Sequence, residues 1–242
     1  YMKRGKKRFS WEADMRFVDT INVTEDATIA SKVKEYEKFL SSELDIAIGK
    51  TNTELDSRKK TVRLGEATIG NLIADVMRDG VDADVGYANG GGIRGKKIYA
   101  PGTTITRRDI LSEMPFGNVV VKLELTGAQI WDALENGLSQ IENNAGRFPQ
   151  VSGMSFTYNP KAKAGARVVS VKIGSQSLNK GRTYTMATNN YIAGGGDGYS
   201  VFKKAKVIID ASGATIMAGM VMDYIKAKGS VSPKVEGRIV AQ

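Results

Sequence analysis

The residues best suited to chemistry sit in short glycine-rich loops. The first is Asn89-Gly90-Gly91-Gly92-Ile93-Arg94-Gly95. Consecutive glycines let backbone approach a ligand closely, and Arg94 offers a planar, permanently charged fork suited to phosphate. The stretch is formally a G-x-G-x-x-G following a strand-like run. A dinucleotide fold would need a helix next, with its N-terminus at the pyrophosphate. Instead Lys96-Lys97-Ile98-Tyr99-Ala100-Pro101-Gly102 follows, which cannot open that helix, so the dinucleotide reading fails. A tight loop bearing a surface arginine is the alternative. The second cluster is Ala193-Gly194-Gly195-Gly196-Asp197-Gly198-Tyr199. Asp197 is either a turn residue bonded to its own backbone or an acceptor for a pair of sugar hydroxyls. Pro115-Phe116-Gly117-Asn118 sets an aromatic ring in a loop, as a core plug or as a platform for a base.

Composition narrows the chemistry. The 242 residues include 35 Lys+Arg against 26 Asp+Glu, a formal charge of +9, with no cysteine and no histidine. Without cysteine there is no disulfide framework and no thiol nucleophile. Without histidine there is no Ser-His-Asp triad, no His-ligated zinc and no imidazole base. The apolar runs near Val119 and Ile216 fall far short of the roughly 20 residues a spanning helix needs. A net charge of +9 invites an anionic partner. The charge gathers at Lys3, Arg4, Lys6, Lys7 and Arg8, a solvated strand edge or linker, and again at Arg58, Lys59 and Lys60. Aromatics make up only 7% of the chain and no RRM, KH or zinc-finger pattern is present, so a small anion suits this composition as well as a nucleic acid does.

The elements that must position these loops follow from periodicity. Residues 9–18 alternate imperfectly and read as a strand without a partner. A helix is expected over 26–47, with Ile29, Val33, Tyr36, Phe39, Leu40 and Leu44 on one face and Gly49 closing it. This long, half-polar helix has the character of an interdomain connector. Ile69, Leu72, Ile73, Val76 and Met77 mark a helix ended by Gly80. A strand at 84–88 leads into the first glycine loop. Thr106 opens a short helix with a capping box, and Thr126 caps another that runs to Leu138 after a strand at 119–125. Further strands are expected at 153–158, 167–173, 183–188, 207–209 and 235–240, with a last helix over 214–228. Strands come partly in hairpin runs and partly separated by helices, which points to an α+β layered domain rather than a doubly wound one.

Gly70-Asn71-Leu72-Ile73-Ala74-Asp75, Asn-Gly-Gly-Gly-Ile-Arg, Pro-Phe-Gly-Asn and Gly-Gly-Asp-Gly-Tyr occur in that order. In this the chain resembles the C-terminal domain of the 5′-nucleotidase family, which includes UDP-sugar hydrolases and 2′,3′-cyclic-nucleotide phosphodiesterases. The resemblance implies a mixed-sheet layered domain with flanking helices over 49–242. It also implies a linker helix over 26–48, with residues 1–25 as the tail of an N-terminal metallophosphoesterase domain. That domain would hold two divalent metal ions and perform the hydrolysis, in a periplasmic, secreted or cell-surface protein. This chain, lacking histidine, would bind no metal and supply the substrate-binding half. Carried over by position, Arg63 and Arg94 would bind phosphate or ribose, and Asn89 the sugar or base edge. Phe116 and Tyr191 would clamp the base, where several members have Phe at the second wall. Asn118 would hydrogen-bond the base and Asp197 the ribose hydroxyls, while Gly146 gives the ring room. The partners expected are a nucleotide or nucleoside and the parent's own N-terminal domain. A thiosulfohydrolase-type member would not need the paired aromatics. The contrasting expectation is a non-enzymatic basic module for nucleic acid or an anionic surface.

Overall fold

The computed structural model describes residues 2–4 and 9–242, with side chains from Glu12 onward. The side chains of the N-terminal basic cluster lie outside the described residues. The chain divides into two compact units, Tyr1–Glu43 and Leu44–Gln242.

In the first unit, Met2–Arg4 pairs antiparallel with Phe9–Trp11. The strand expected over 9–18 is therefore only three residues long and has a partner within the chain. Beyond Trp11 the alternation is broken by charges, and residues 12–20 take no regular structure. The helix Ala27–Leu44 starts where expected because the Asp26 carboxylate accepts from the Thr28 and Ile29 amides. It ends at Leu44 rather than at 47, and Gly49 does not close it. Gly49 lies inside the strand Ala47–Thr51, where a Cβ would come within 2.8 Å of the Gly229 carbonyl oxygen and of the Ile225 side chain. Its missing side chain serves a close approach and does not stop a helix.

The second unit is built on a five-stranded mixed sheet. Its order is Lys206–Ile209, Val120–Thr126, Thr183–Asn189, Val85–Asn89, Pro149–Ser152. Only Thr183–Asn189 and Val85–Asn89 are parallel; the other pairings are antiparallel. A four-stranded sheet (Gln176–Ser177, Val168–Ile173, Met154–Tyr158, Ile239–Ala241) and two smaller sheets complete the β structure. Alternate residues of the central strands feed two cores. Ala88, Val120 and Ala187 face the helices Thr68–Gly80 and Met217–Lys228. Val85, Tyr87, Leu123 and Leu125 face the helix Gly127–Leu138 and the aromatic group Phe148, Phe156 and Tyr158. This is the expected α+β architecture, a mixed sheet flanked by helices. The expected capping box of Thr106 with Asp109 is present, and the expected cap at Thr126 is also a full box, with Gln129. The five apolar residues expected on the Thr68–Gly80 helix are all buried.

Register decides where the loops emerge. Asn89 pairs with Pro149 and Asn189 with Val120, while the parallel pairing sets Thr188 beside Tyr87. One edge of the sheet thus collects the ends of two parallel strands and the starts of their two antiparallel neighbours. Open α/β sheets use the carboxyl ends of parallel strands in this way to place ligand sites.

The Thr68–Gly80 helix sits close on that sheet because Gly86 has no side chain. A Cβ there would lie 2.3 Å from the Ala74 carbonyl oxygen, which is backbone and cannot swing aside. Gly86→Ala is expected to lower stability by about 2 kcal/mol. Urea unfolding should show a lower midpoint at an unchanged slope; an unshifted midpoint would mean that the helix rides higher on the sheet than described.

Candidate functional site

All eight residues singled out in the sequence line one cleft of about 420 Å³: Arg63, Asn89, Arg94, Phe116, Asn118, Gly146, Tyr191 and Asp197, together with Gly91 and Gly92. They come from separate stretches of chain that the register brings to one edge.

The floor of the cleft is backbone. After Asn89 the chain turns through Gly90–Gly92. Gly90 donates to the Phe148 carbonyl and Gly91 to that of Gly146, both at 2.7 Å. A Cβ on Gly90 would lie 2.0 Å from the Val62 carbonyl oxygen, and one on Gly91 2.8 Å from the Gly146 Cα. Gly146 is therefore required first by its contact with Gly91.

The two arginines arrive by different routes. Arg63 rides on the short helix Lys59–Leu64. The Gln150 amide holds that helix by donating to the carbonyls of Val62 (3.1 Å) and Gly65 (2.8 Å). Arg63 donates to the Asn144 carbonyl at 3.2 Å, and its Nε is buried with no partner. Burial and then the neighbouring Arg94 charge lower its pKa. Arg94 follows the glycine turn. Its amide donates to the Glu113 carbonyl at 2.8 Å, and the next amide, of Gly95, to the Glu113 carboxylate at 2.9 Å. Its guanidinium lies 5.1 Å from the Phe116 ring centre. Glu113 is fully buried, and burial raises its pKa despite the hydrogen bonds from Tyr99 and Gly95. Among the described residues neither Arg63 nor Arg94 forms an ion pair.

Asp197 sits in the left-handed region at φ 53°, which Asp tolerates better than most residues. Its carboxylate accepts from Asn89 Nδ2 at 2.8 Å and from the Tyr191 hydroxyl at 3.1 Å. An ionised carboxylate has about four lone-pair sites, so about two remain open. The Tyr191 ring lies over Gly196, where a Cβ would be 2.5 Å from it. Burial and then the Asp197 charge raise the Tyr191 pKa. Phe116 and Tyr191 are 55% and 49% exposed, large apolar surfaces left open at the cleft.

Three positioning groups were not legible in the sequence. Gln150 holds the Arg63 helix, Glu113 anchors the Arg94 loop, and Asn189 bonds Asn89 at 3.0 Å. Each acts across 18 residues or more, and the only local signal is a polar residue within a short strand (Gln150), at a helix end (Glu113) or at a strand end (Asn189). Among the described residues no three Asp, Glu, His or Cys side chains gather as metal ligands. The residues present do not fit the two-metal centre that the resemblance places in another domain.

The family description "5′-nucleotidase, C-terminal domain" matches residues 47–204. The chain is 38% identical over 225 residues to the trifunctional nucleotide phosphoesterase protein YfkN of Bacillus subtilis, covering 89% of this chain and 15% of that protein. It is 33% identical over 196 residues to the protein UshA of Escherichia coli, covering 80% and 34%. The crystal structure of a 5′-nucleotidase precursor from Thermus thermophilus superposes with a TM-score of 0.81 at 35% identity, covering 90% of this chain and 43% of that one. The chain belongs to the 5′-nucleotidase family, of which it carries the C-terminal domain. It spans less than half the length of each of these relatives.

Asp56 sets the start of the Arg63 helix. Its carboxylate accepts from the Arg58 side chain, the Arg58 amide and the Thr61 hydroxyl. The Arg58 side chain above all holds the Asp56 pKa at about 2, against the upward push of burial. A depressed carboxylate pKa stabilises the fold above the unfolded-state value near 3.8. That stability is lost as pH falls toward the folded value. With Arg58 largely exposed, Asp56→Asn should cost about 1 kcal/mol at pH 7. Denaturation measured from pH 7 to pH 2 should show the gap to the parent closing below about pH 4; a constant gap would exclude the charge as its origin.

Proposed function

We propose that this chain is the substrate-binding and specificity part of a metal-dependent 5′-nucleotidase-type phosphohydrolase. A nucleotide base stacks between Phe116 and Tyr191, and Asn118 hydrogen-bonds its edge. Asp197 receives the ribose hydroxyls, while Arg63 and Arg94 hold the phosphate. The observation that carries the reading is the combination in one cleft of two half-exposed rings, a carboxylate with open acceptor sites and two arginines without carboxylate partners. A purine nucleotide presents the complement of each, namely an aromatic face, a diol and an anion. The contacts of Asn89 on both sides of its amide, at 3% exposure, favour a role behind Asp197 over direct contact with the ligand.

Hydrolysis belongs, in this reading, to a metallophosphoesterase domain preceding residue 26, with residues 26–48 as the connector and 49–242 as the binding domain. Two divalent metals held in that domain would supply electrophilic assistance; this chain binds and orients the substrate and by itself would not turn it over. The setting proposed is periplasmic, secreted or cell-surface, as the family resemblance implies. Among the described residues no helix is long and apolar enough to cross a membrane.

Calorimetric titration with adenosine and AMP, without metal and at two salt concentrations, tests the reading. A stacked base is worth about 1–3 kcal/mol, so Phe116→Ala and Tyr191→Ala should each weaken AMP binding by about 5- to 150-fold. If both variants bind AMP as the parent does, the clamp is wrong. Salt-steep binding of an oligonucleotide with no nucleoside binding would favour the basic-module reading instead.

A further inference from the structure

Asn89 and Asp197 belong to the cleft, but what fixes their geometry lies behind it. Asn189 ends the strand Thr183–Asn189 and is 1% exposed. Its Oδ1 accepts from the Ile192 amide at 3.1 Å, capping the short turn Asn190–Ala193 that carries Tyr191. Its Nδ2 donates to Asn89 Oδ1 at 3.0 Å, and Asn89 Nδ2 donates to Asp197 Oδ2 at 2.8 Å.

The polarity of this chain of bonds is fixed at both ends. A backbone amide only donates and an ionised carboxylate only accepts. With Ile192 donating into one end and Asp197 accepting at the other, both asparagine amides have a single consistent orientation. Turning either one over would set oxygen against oxygen in a buried place, where an unpaired polar group is costly. The same residue therefore orients the carboxylate and seats the ring whose hydroxyl makes that carboxylate's other contact.

Resting on the nucleotide-binding reading above, we infer that Asn189 is the positioning residue that sets sugar specificity, holding Asp197 through Asn89 in the orientation that distinguishes a ribose from a 2′-deoxyribose. Asn189 does not touch the ligand. It acts by keeping the Asp197 open acceptor sites aimed into the cleft, so that a 2′,3′-diol is bound and a sugar lacking the 2′-hydroxyl leaves one site unfilled.

Asn189→Ser separates its two tasks. Serine still caps the turn, being among the preferred residues there, but it is too short to reach Asn89. Asn189→Asp also keeps an acceptor for Ile192 while presenting oxygen to Asn89, which forces that amide over. Each variant of the 242-residue chain is titrated with adenine, adenosine and 2′-deoxyadenosine, with thermal unfolding in parallel. In the parent adenosine should bind about tenfold more tightly than 2′-deoxyadenosine. In both variants the ratio should fall to about twofold or less, with adenine binding retained. A role in stability alone would weaken all three ligands alike and leave the ratio near ten, which overturns the inference.

Should neither variant fold, the unsubstituted chain still decides. Its Asn189 side-chain amide signal in a nitrogen–proton correlation spectrum should move on adding adenosine and move less with 2′-deoxyadenosine. An unmoved signal overturns the inference. A parent that binds no nucleoside sinks the underlying nucleotide reading, whereas one that binds both sugars equally sinks only the sugar-recognition step.

Discussion

Two parallel strands, Val85–Asn89 and Thr183–Asn189, end side by side, and the cleft depends on how their last side chains are satisfied. The two side chains at these ends, Asn89 and Asn189, are 3% and 1% exposed, so their hydrogen-bond partners must come from the protein. Asn89 and Asn189 supply each other. That amide–amide bond ties the glycine turn after one strand to the aromatic turn after the other. The neighbouring antiparallel strands then enter at the same edge, bringing the Phe116 loop through Val120 and the Gly146 loop through Pro149. No long lid or insertion is needed to assemble the site, because the sheet register already does so.

Glycine concentrates here for a reason of packing more than of flexibility. Gly90, Gly91 and Gly146 let stretches of main chain touch directly, with amide-to-carbonyl bonds of 2.7 Å between them. A floor made of backbone takes little room, which leaves space above it for the side chains that line the cleft. Around the second cluster the same economy acts differently: Gly196 gives the Tyr191 ring a flat seat, and Asp197 accepts a left-handed conformation to turn its carboxylate inward. Backbone strain of this kind persists only where surrounding contacts enforce it, and here Asn136 and Asn89 hold the residue from both its carbonyl and its carboxylate.

Much of this was legible from residue order because its signals are local. Helix caps at Thr106 and Thr126, the apolar stripe of Thr68–Gly80 and the glycine clusters each announce themselves within a few residues. The gathering of Arg63, Phe116 and Tyr191 came from the motif order of a family, since neither periodicity nor composition relates residues so far apart in the chain. What stayed hidden was non-local. Gly49 reads as a helix stop, yet its role depends on Gly229 and Ile225 from the far end of the chain. The partner of Phe9–Trp11 lay in a segment that reads as a basic cluster. Asn189 looks like any polar residue at a strand end until the register puts it against Asn89.

Charge explains why such a site is left incomplete by the protein itself. Arg94 lies close enough to disfavour the Arg63 charge, and Arg63 is partly buried with its Nε unpaired. Partial burial of a cation costs stability unless an anion or a full set of acceptors offsets it. A carboxylate placed beside them would relieve that cost, and Asp197 and Glu113 are both near in the fold. Yet Asp197 is engaged by Asn89 and Tyr191, and Glu113 by Tyr99 and the Gly95 amide. The nearby acids are thus hydrogen-bonded to neutral donors, and although the Asp197 charge favours that of Arg63, neither arginine is tied into an ion pair among the described residues. An anion that fills this cleft gains interactions which the folded chain alone forgoes. Leaving two arginines without carboxylate partners in one cleft forgoes stability within the fold, and it concentrates at one place a part of the chain's net charge of +9.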